Sequence, residues 1–213
     1  MTDKMRNLLL GAALVFVILF FMGLFTDNYP LRMIAKPFPL IVLLVLLKPT
    51  SHYRKFIFGG LAFSLLGDIL LESSPDMFVF GLLAFLTGHI FYAIAFIRRN
   101  KTINLMTAVF MLAYGVLIYW ILLPGLNQMA IPVMLYVLVI LVMAWRAVSQ
   151  RQFDAYATFA MIGAFLFVFS DSLIALNKFY TPIDYSRGII MLTYWMAQAF
   201  IFYSAYRSEK TQD

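Results

Sequence analysis

Long apolar runs separated by short polar breaks organise this 213-residue chain from end to end. A helix that crosses a bilayer needs roughly 20 mostly apolar residues. The runs place eight such helices, at 7–25, 31–47, 55–72, 78–97, 103–122, 131–149, 156–176 and 187–206. The breaks contain no Ser/Gly-rich linker and no low-complexity tract, which leaves no room for a second domain. Residues 1–213 therefore read as one all-α, polytopic membrane domain, eight transmembrane helices in a single bundle. The first run follows the basic start MTDKMR, but its 19 residues exceed a signal-peptide core and no small-residue cleavage site follows. It reads as a retained first helix.

Composition agrees with that reading: 63% of residues are hydrophobic and 12% charged, where a soluble domain carries about 25% charged residues. Charge adds an orientation. Lys4, Arg6, Lys48, Arg54, Lys55, Arg98, Arg99, Lys101, Arg146, Arg151, Arg207 and Lys210 fall on one side of an eight-helix weave, 12 of the 16 basic residues, against Arg32, Lys178 and Arg187 on the other. Loops rich in Lys and Arg stay in the cytoplasm, so both termini are expected there. The net charge of +6 reflects this bias and contact with anionic headgroups. Basic residues scattered over several loops make no stripe for nucleic acid.

The chain has no cysteine and two histidines, His52 and His89. Disulfides, thiolate nucleophiles and a three-histidine zinc site are thereby excluded within one chain. No P-loop, no GxGxxG after a strand and no GxSxG elbow is present. No metal and no cofactor is expected.

An ionisable side chain near a helix centre costs roughly 2.5–3.5 kcal/mol on insertion scales, so one that is kept faces protein or water. Away from the ends of the expected spans lie Lys36, Asp68, His89 and Asp171, with Ser64, Tyr92, Asn177, Tyr194 and Gln198 as polar company. Lys36 stands about five residues into the second span, and Asp68 and Asp171 four or five residues before the ends of the third and seventh. At 1.5 Å per residue all three come to lie roughly 6–8 Å below the non-cytoplasmic boundary, with His89 and Gln198 deeper. They can share one pocket. Ser64, Asp68 and Glu72 repeat at i, i+4, i+8 along one face, while Ala160, Ala164, Asp171 and Ala175 mark a small-residue side of the seventh span. Plainer roles compete: Lys36 can snorkel toward the headgroups beside Pro37, and His89 can satisfy an interhelical hydrogen bond. The 22 Phe and 13 Met read mainly as lipid-facing and core residues, some lining an acyl-chain groove. LLGDILL followed by HIFYAIAF weakly echoes VFSDSLIAL followed by FIFYSAYR; a true repeat would make helices 1 to 4 and 5 to 8 parallel halves with one aspartate each, and four-residue matches also arise by chance in apolar sequence.

Lys36-Pro37, LLGD ending at Asp68, FLTGHIFY at 85–92, FVFSDSLIALNKF at 167–179 and YWMAQAFI at 194–201 together resemble the YhhN family of membrane lysoplasmalogenases, in order and over essentially the whole chain. The resemblance implies a multi-helix hydrolase that cleaves the vinyl ether bond of 1-alkenyl lysophospholipids to a fatty aldehyde and glycerophosphoethanolamine or glycerophosphocholine. Such cleavage needs a proton delivered to the chain carbon β to the ether oxygen, then water on the resulting oxocarbenium ion. Two carboxyl groups suffice, as in inverting glycosidases. Asp68 and Asp171 are expected to divide the acid and base roles. Lys36, Ser64, His89, Tyr92, Asn177, Tyr194 and Gln198 are expected to bind or orient, with phosphate met by Arg32 or Arg187. The expected partners are lysophospholipid substrate and bilayer lipid. The expected location is a bacterial cytoplasmic (inner) membrane, with the site toward its non-cytoplasmic side. Two other classes fit intramembrane Asp and Lys: a proton-coupled small-molecule transporter, whose site normally lies at the midplane, and a non-catalytic lipid-binding membrane protein.

Overall fold

The computed structural model describes residues 2–208; Lys210, counted above on the cytoplasmic side, lies outside them. Among the described residues every regular element is helical. These are α1 (Asp3–Phe25), α2 (Tyr29–Ala35), α3 (Phe38–Leu46), α4 (His52–Ser73), α5 (Phe78–Arg99), α6 (Leu105–Leu126), α7 (Ala130–Ser149), α8 (Ala157–Phe179) and α9 (Ser186–Arg207). Starts are set by side-chain caps: Thr2, Asn28, Ser51 and Asn104 each accept the backbone N–H three residues on, replacing a bond the first turn cannot make internally.

Seven stretches are long and apolar enough to cross a membrane. One of them, Leu105–Ser149, is 45 residues long and contains both α6 and α7. The chain doubles back within it. Asn127 takes a positive φ of 45° at the bend, the Tyr119 hydroxyl donates to the Ala130 carbonyl (3.2 Å), and the Trp145 indole N–H donates to the Asn104 carbonyl (2.8 Å). The last bond ties the end of α7 to the start of α6. A second departure from simple spans lies in Tyr29–Leu46, which breaks into α2 and α3 at Lys36-Pro37. Proline lacks the N–H and its ring crowds the preceding turn.

Two antiparallel pairs form the centre: α4 lies along α5, and α8 along α9. Between them α9 also touches α4 and α3, while α5 packs on α7 and α7 on α8. The α4/α5 approach depends on a bare backbone, because a Cβ on Gly60 would sit 2.1 Å from Tyr92 Cε1. Nine residues of α5 and ten of α9 are buried, against Phe20 and Gly23 alone on α1. α1 and α6 are the outer helices, and their exposed Leu, Val, Ile and Phe side chains suit contact with lipid.

Asp3, Arg6, Lys48, Arg54, Tyr156 and Arg207 line one cleft, so the start of α1 and the end of α9 meet on one face. Several basic residues counted above as topology signals hold helix ends on that face. Arg54 donates to the carbonyls of Ala205 (2.9 Å) and Tyr206 (3.0 Å) at the end of α9. Arg146 donates to Thr102 (2.8 Å) and Asn100 carbonyls, and Arg99 pairs with Asp154. Carbonyls at a helix C-terminus have no partner in the helix, and guanidinium supplies one.

Candidate active site

On the opposite face α4 and α8 end, and α5, α7 and α9 begin. Measured along their helices from that face, Asp68 lies about 8 Å in and Asp171 about 12 Å. α8 continues to Phe179, three residues beyond the expected end at 176, which sets Asp171 deeper than its sequence position suggested.

Each aspartate is held by a tyrosine from another helix pair. Asp68, 2% exposed, accepts a hydrogen bond from the Tyr194 hydroxyl of α9 at 2.7 Å. Asp171 accepts through the corresponding Oδ2 from the Tyr136 hydroxyl of α7. His89 Nε2 of α5 lies 3.1 Å from the same carboxylate oxygen and 2.9 Å from the Tyr136 hydroxyl. A third polar contact joins α5 to α9, the Tyr92 hydroxyl donating to Gln198 Oε1 at 2.6 Å. The Phe167 ring stands edge-on to both His89 (4.5 Å between centroids) and Tyr194 (5.4 Å), and so touches both aspartate clusters. Phe85 adds a second edge contact to Tyr194 at 5.6 Å.

Buried polar atoms are ordinarily satisfied. Here Ser64 Oγ, His89 Nδ1 and Gln198 Nε2 are buried without a hydrogen-bond partner among the described residues. Around the two carboxyls, therefore, donors and acceptors remain unused.

Two clefts reach this region. The first lies between α5, α6, α7 and α8 and is lined almost wholly by apolar side chains such as Leu82, Phe85, Ile118, Val137 and Leu141, with Asp171 and Tyr136 among its few polar groups. The second carries Arg32, Lys36, Glu72 and Arg187 over an apolar base. Glu72 bridges the two buried cations, Arg32 Nε at 3.1 Å and Lys36 Nζ at 3.3 Å, while Arg32 also meets Asp27 at 3.0 Å. Arg187 is exposed and forms no hydrogen bond or ion pair with the described residues. Among the described residues no three His, Cys, Asp or Glu side chains converge to hold a metal ion.

Comparison with known proteins settles what kind of chain this is. The YhhN family model matches residues 31–205, which contain every group just described except Asp27. The chain belongs to the YhhN family. Lysoplasmalogenase TMEM86A of Bos taurus is 40% identical over 161 residues, 72% of this chain and 66% of the relative, and the protein of that name from Homo sapiens matches equally. Lysoplasmalogenase TMEM86B of Homo sapiens is 33% identical over 162 residues, 76% of this chain and 68% of the relative. The match thus spans just under two thirds of the length of the TMEM86A proteins. No solved structure matches the chain.

Of the residues singled out in the sequence of this YhhN protein, Asp68, Ser64, His89, Tyr92, Asp171, Tyr194 and Gln198 come together in one interior region. Lys36 is directed instead to Glu72 in the cationic cleft. Asn177 serves the connection between α8 and α9, its Oδ1 accepting from the Ile183 N–H (2.8 Å) and the Ser186 hydroxyl (3.0 Å). Sequence reading passed over Tyr136. Its helix buries Val133, Tyr136, Ile140, Ala144 and Ala147, a 3.6-residue stripe that points the tyrosine inward and was the available signal.

Proposed function

We propose that this YhhN protein hydrolyses the vinyl ether bond of 1-alkenyl lysophospholipids, releasing a fatty aldehyde and glycerophosphoethanolamine or glycerophosphocholine. The observation that carries the reading is Asp171, whose carboxyl opens on the apolar cleft beside a second cleft bearing Arg32, Lys36 and Arg187. An amphiphile with one phosphate and one hydrocarbon chain matches that pair of surfaces. The names of the relatives support the same chemistry.

In this mechanism the alkenyl chain lies in the apolar cleft and the phosphate meets Arg187 and the Arg32/Lys36 pair. Asp171, whose Oδ2 is engaged by Tyr136 and His89, gives the proton on its other oxygen to the chain carbon β to the ether oxygen. The double bond's electron pair forms the new C–H bond and an oxocarbenium ion results. Water attacks the cationic carbon and loses its proton to Asp68, whose Oδ2 is held by Tyr194. The hemiacetal then breaks its C–O bond to the glycerol, Asp68 giving its proton to the leaving glycerol oxygen while Asp171 takes the proton of the hemiacetal hydroxyl, which yields aldehyde and a free glycerol hydroxyl and restores both aspartates. The unused atoms of Ser64, His89 and Gln198 supply hydrogen bonds that hold the attacking water.

The topology that goes with this reading has eight crossings, both ends of the chain in the cytoplasm and the site toward the other side. The reversal at Asn127 and the Lys/Arg bias of the face shared by Arg6, Lys48, Arg54 and Arg207 support it. Purified protein with Asp68→Asn or Asp171→Asn, assayed for aldehyde release from 1-alkenyl, 1-alkyl and 1-acyl lysolipids, tests the whole proposal. Only the 1-alkenyl lipid is expected to yield aldehyde, and turnover near wild type in both variants refutes the acid and base roles.

A further inference from the structure

The wall between the two clefts has no part in the mechanism above, yet three residues, Leu71, Phe78 and Ile174, line both. Their positions repeat a pattern. Leu71 follows Asp68 by three residues on α4, and Ile174 follows Asp171 by three on α8. One helical turn on, each shares its aspartate's face and lies about 4.5 Å nearer the headgroup side. Phe78, at the start of α5, is held from that same side. Lys178 Nζ stands 4.4 Å from its ring centroid and the Phe179 ring is edge-on at 6.2 Å. Leu71 is seated against Gly81, where even a Cβ would come within 2.6 Å of Leu71 Cδ2. Two of the three wall residues are thus locked by neighbours on α5 and α8, and the third belongs to the helix that carries Asp171.

We propose that Leu71, Phe78 and Ile174 form a constriction that admits one hydrocarbon chain, and so determine selection of a lysolipid over its two-chain counterpart. The identity of the occupant rests on the hydrolase reading above. A lipid with its phosphate in the cationic cleft and its chain in the apolar cleft carries its glycerol across this wall. A hydroxyl on the second glycerol carbon crosses easily. An acyl chain there has to share the same passage and the same narrow apolar cleft. Leu71 and Phe78 are held by their neighbours, so the restriction is steric and does not require a moving lid.

The test uses the full-length protein in detergent with two matched lipids, a 1-alkenyl lysophosphatidylethanolamine and the same lipid acylated at the second position. kcat/KM for aldehyde release is measured in wild type, Ile174→Ala and Phe78→Leu, with thermal unfolding to confirm that each variant is folded. Removing a few methylenes from a specificity surface changes discrimination on the order of tenfold or more. The one-chain over two-chain ratio is expected to fall by that amount, through gain on the two-chain lipid. Folded variants that cleave the one-chain lipid with the wild-type ratio overturn the constriction and leave the hydrolase reading standing. Wild type that releases no aldehyde sinks the hydrolase reading instead, and native mass spectrometry then decides the constriction. After incubation with equal amounts of lysophosphatidylethanolamine and diacyl phosphatidylethanolamine, a shift of Ile174→Ala toward retained two-chain lipid supports it, and wild-type selectivity in the variants refutes it.

Discussion

The α4–α5 and α8–α9 hairpins carry matching aspartates but treat them differently. Asp68 is 2% exposed, lines neither cleft described and meets Tyr194 across the bundle. Asp171 has 10% of its side chain exposed, lines the apolar cleft and meets both His89 and Tyr136. The exchange is crosswise: α9 of one hairpin supports the aspartate of α4, and α5 of the other supports the aspartate of α8. Neither hairpin completes a site alone. Burial separates the two carboxyls into one that can touch a chain in the cleft and one that stays behind aromatic rings.

Removing either carboxyl is expected to have the largest effect. Asp171→Asn and Asp68→Asn keep the shape and an acceptor for tyrosine, so each is expected to fold and to lose on the order of 100-fold or more in kcat for aldehyde release. A large loss in one alone would assign both chemical roles to that hairpin. The next contrast concerns space. Asp68→Glu adds a methylene to a closely packed site and is expected to lower stability by about 1–3 kcal/mol; Asp171→Glu extends into the cleft and is expected to leave the thermal midpoint nearly unchanged. Equal destabilisation of the two would show that the difference in access has no mechanical consequence.

Removing hydroxyls sharpens the comparison further. Tyr136→Phe is expected to reduce kcat on the order of tenfold and to have little added effect in the Asp171→Asn background, since residues acting as one unit are not additive. Tyr194→Phe should show the same coupling to Asp68→Asn and none to Asp171→Asn, measured as a double-mutant cycle. The smallest effect is expected at the rim, where Arg187→Gln should raise KM a few fold with a small change in kcat and a weaker dependence on salt, because an exposed guanidinium contributes modestly.

Much of the site was legible because the bilayer penalises polar side chains. Asp68, His89, Asp171 and Gln198 stand out against long apolar runs, and helical depth alone sets the two aspartates near one level with His89 and Gln198 below them. Tyr136 did not stand out, since a tyrosine in a membrane helix serves equally in an interfacial belt. Lys36 was drawn into the same pocket by depth, and Asn177 by its place beside the seventh span, yet neither depth nor position carries an azimuth. Asn177 faces the α8–α9 connection and Lys36 faces Glu72. The eight runs already divide the stretch between Leu105 and Ser149 into two spans, at 103–122 and 131–149, and the bend at Asn127 falls in the gap between them.

Hydropathy and the spacing of its interruptions are properties of the chain alone, so an all-helical membrane domain, its breaks and the depth of its expensive side chains were decided by sequence. Which helices touch, and therefore which tyrosine meets which aspartate and which aspartate opens on a cleft, depends on rotation about each helix axis. That rotation is set by close packing between surfaces nearly equal in hydrophobicity, as where Gly60 admits Tyr92, and only the assembled bundle selects it.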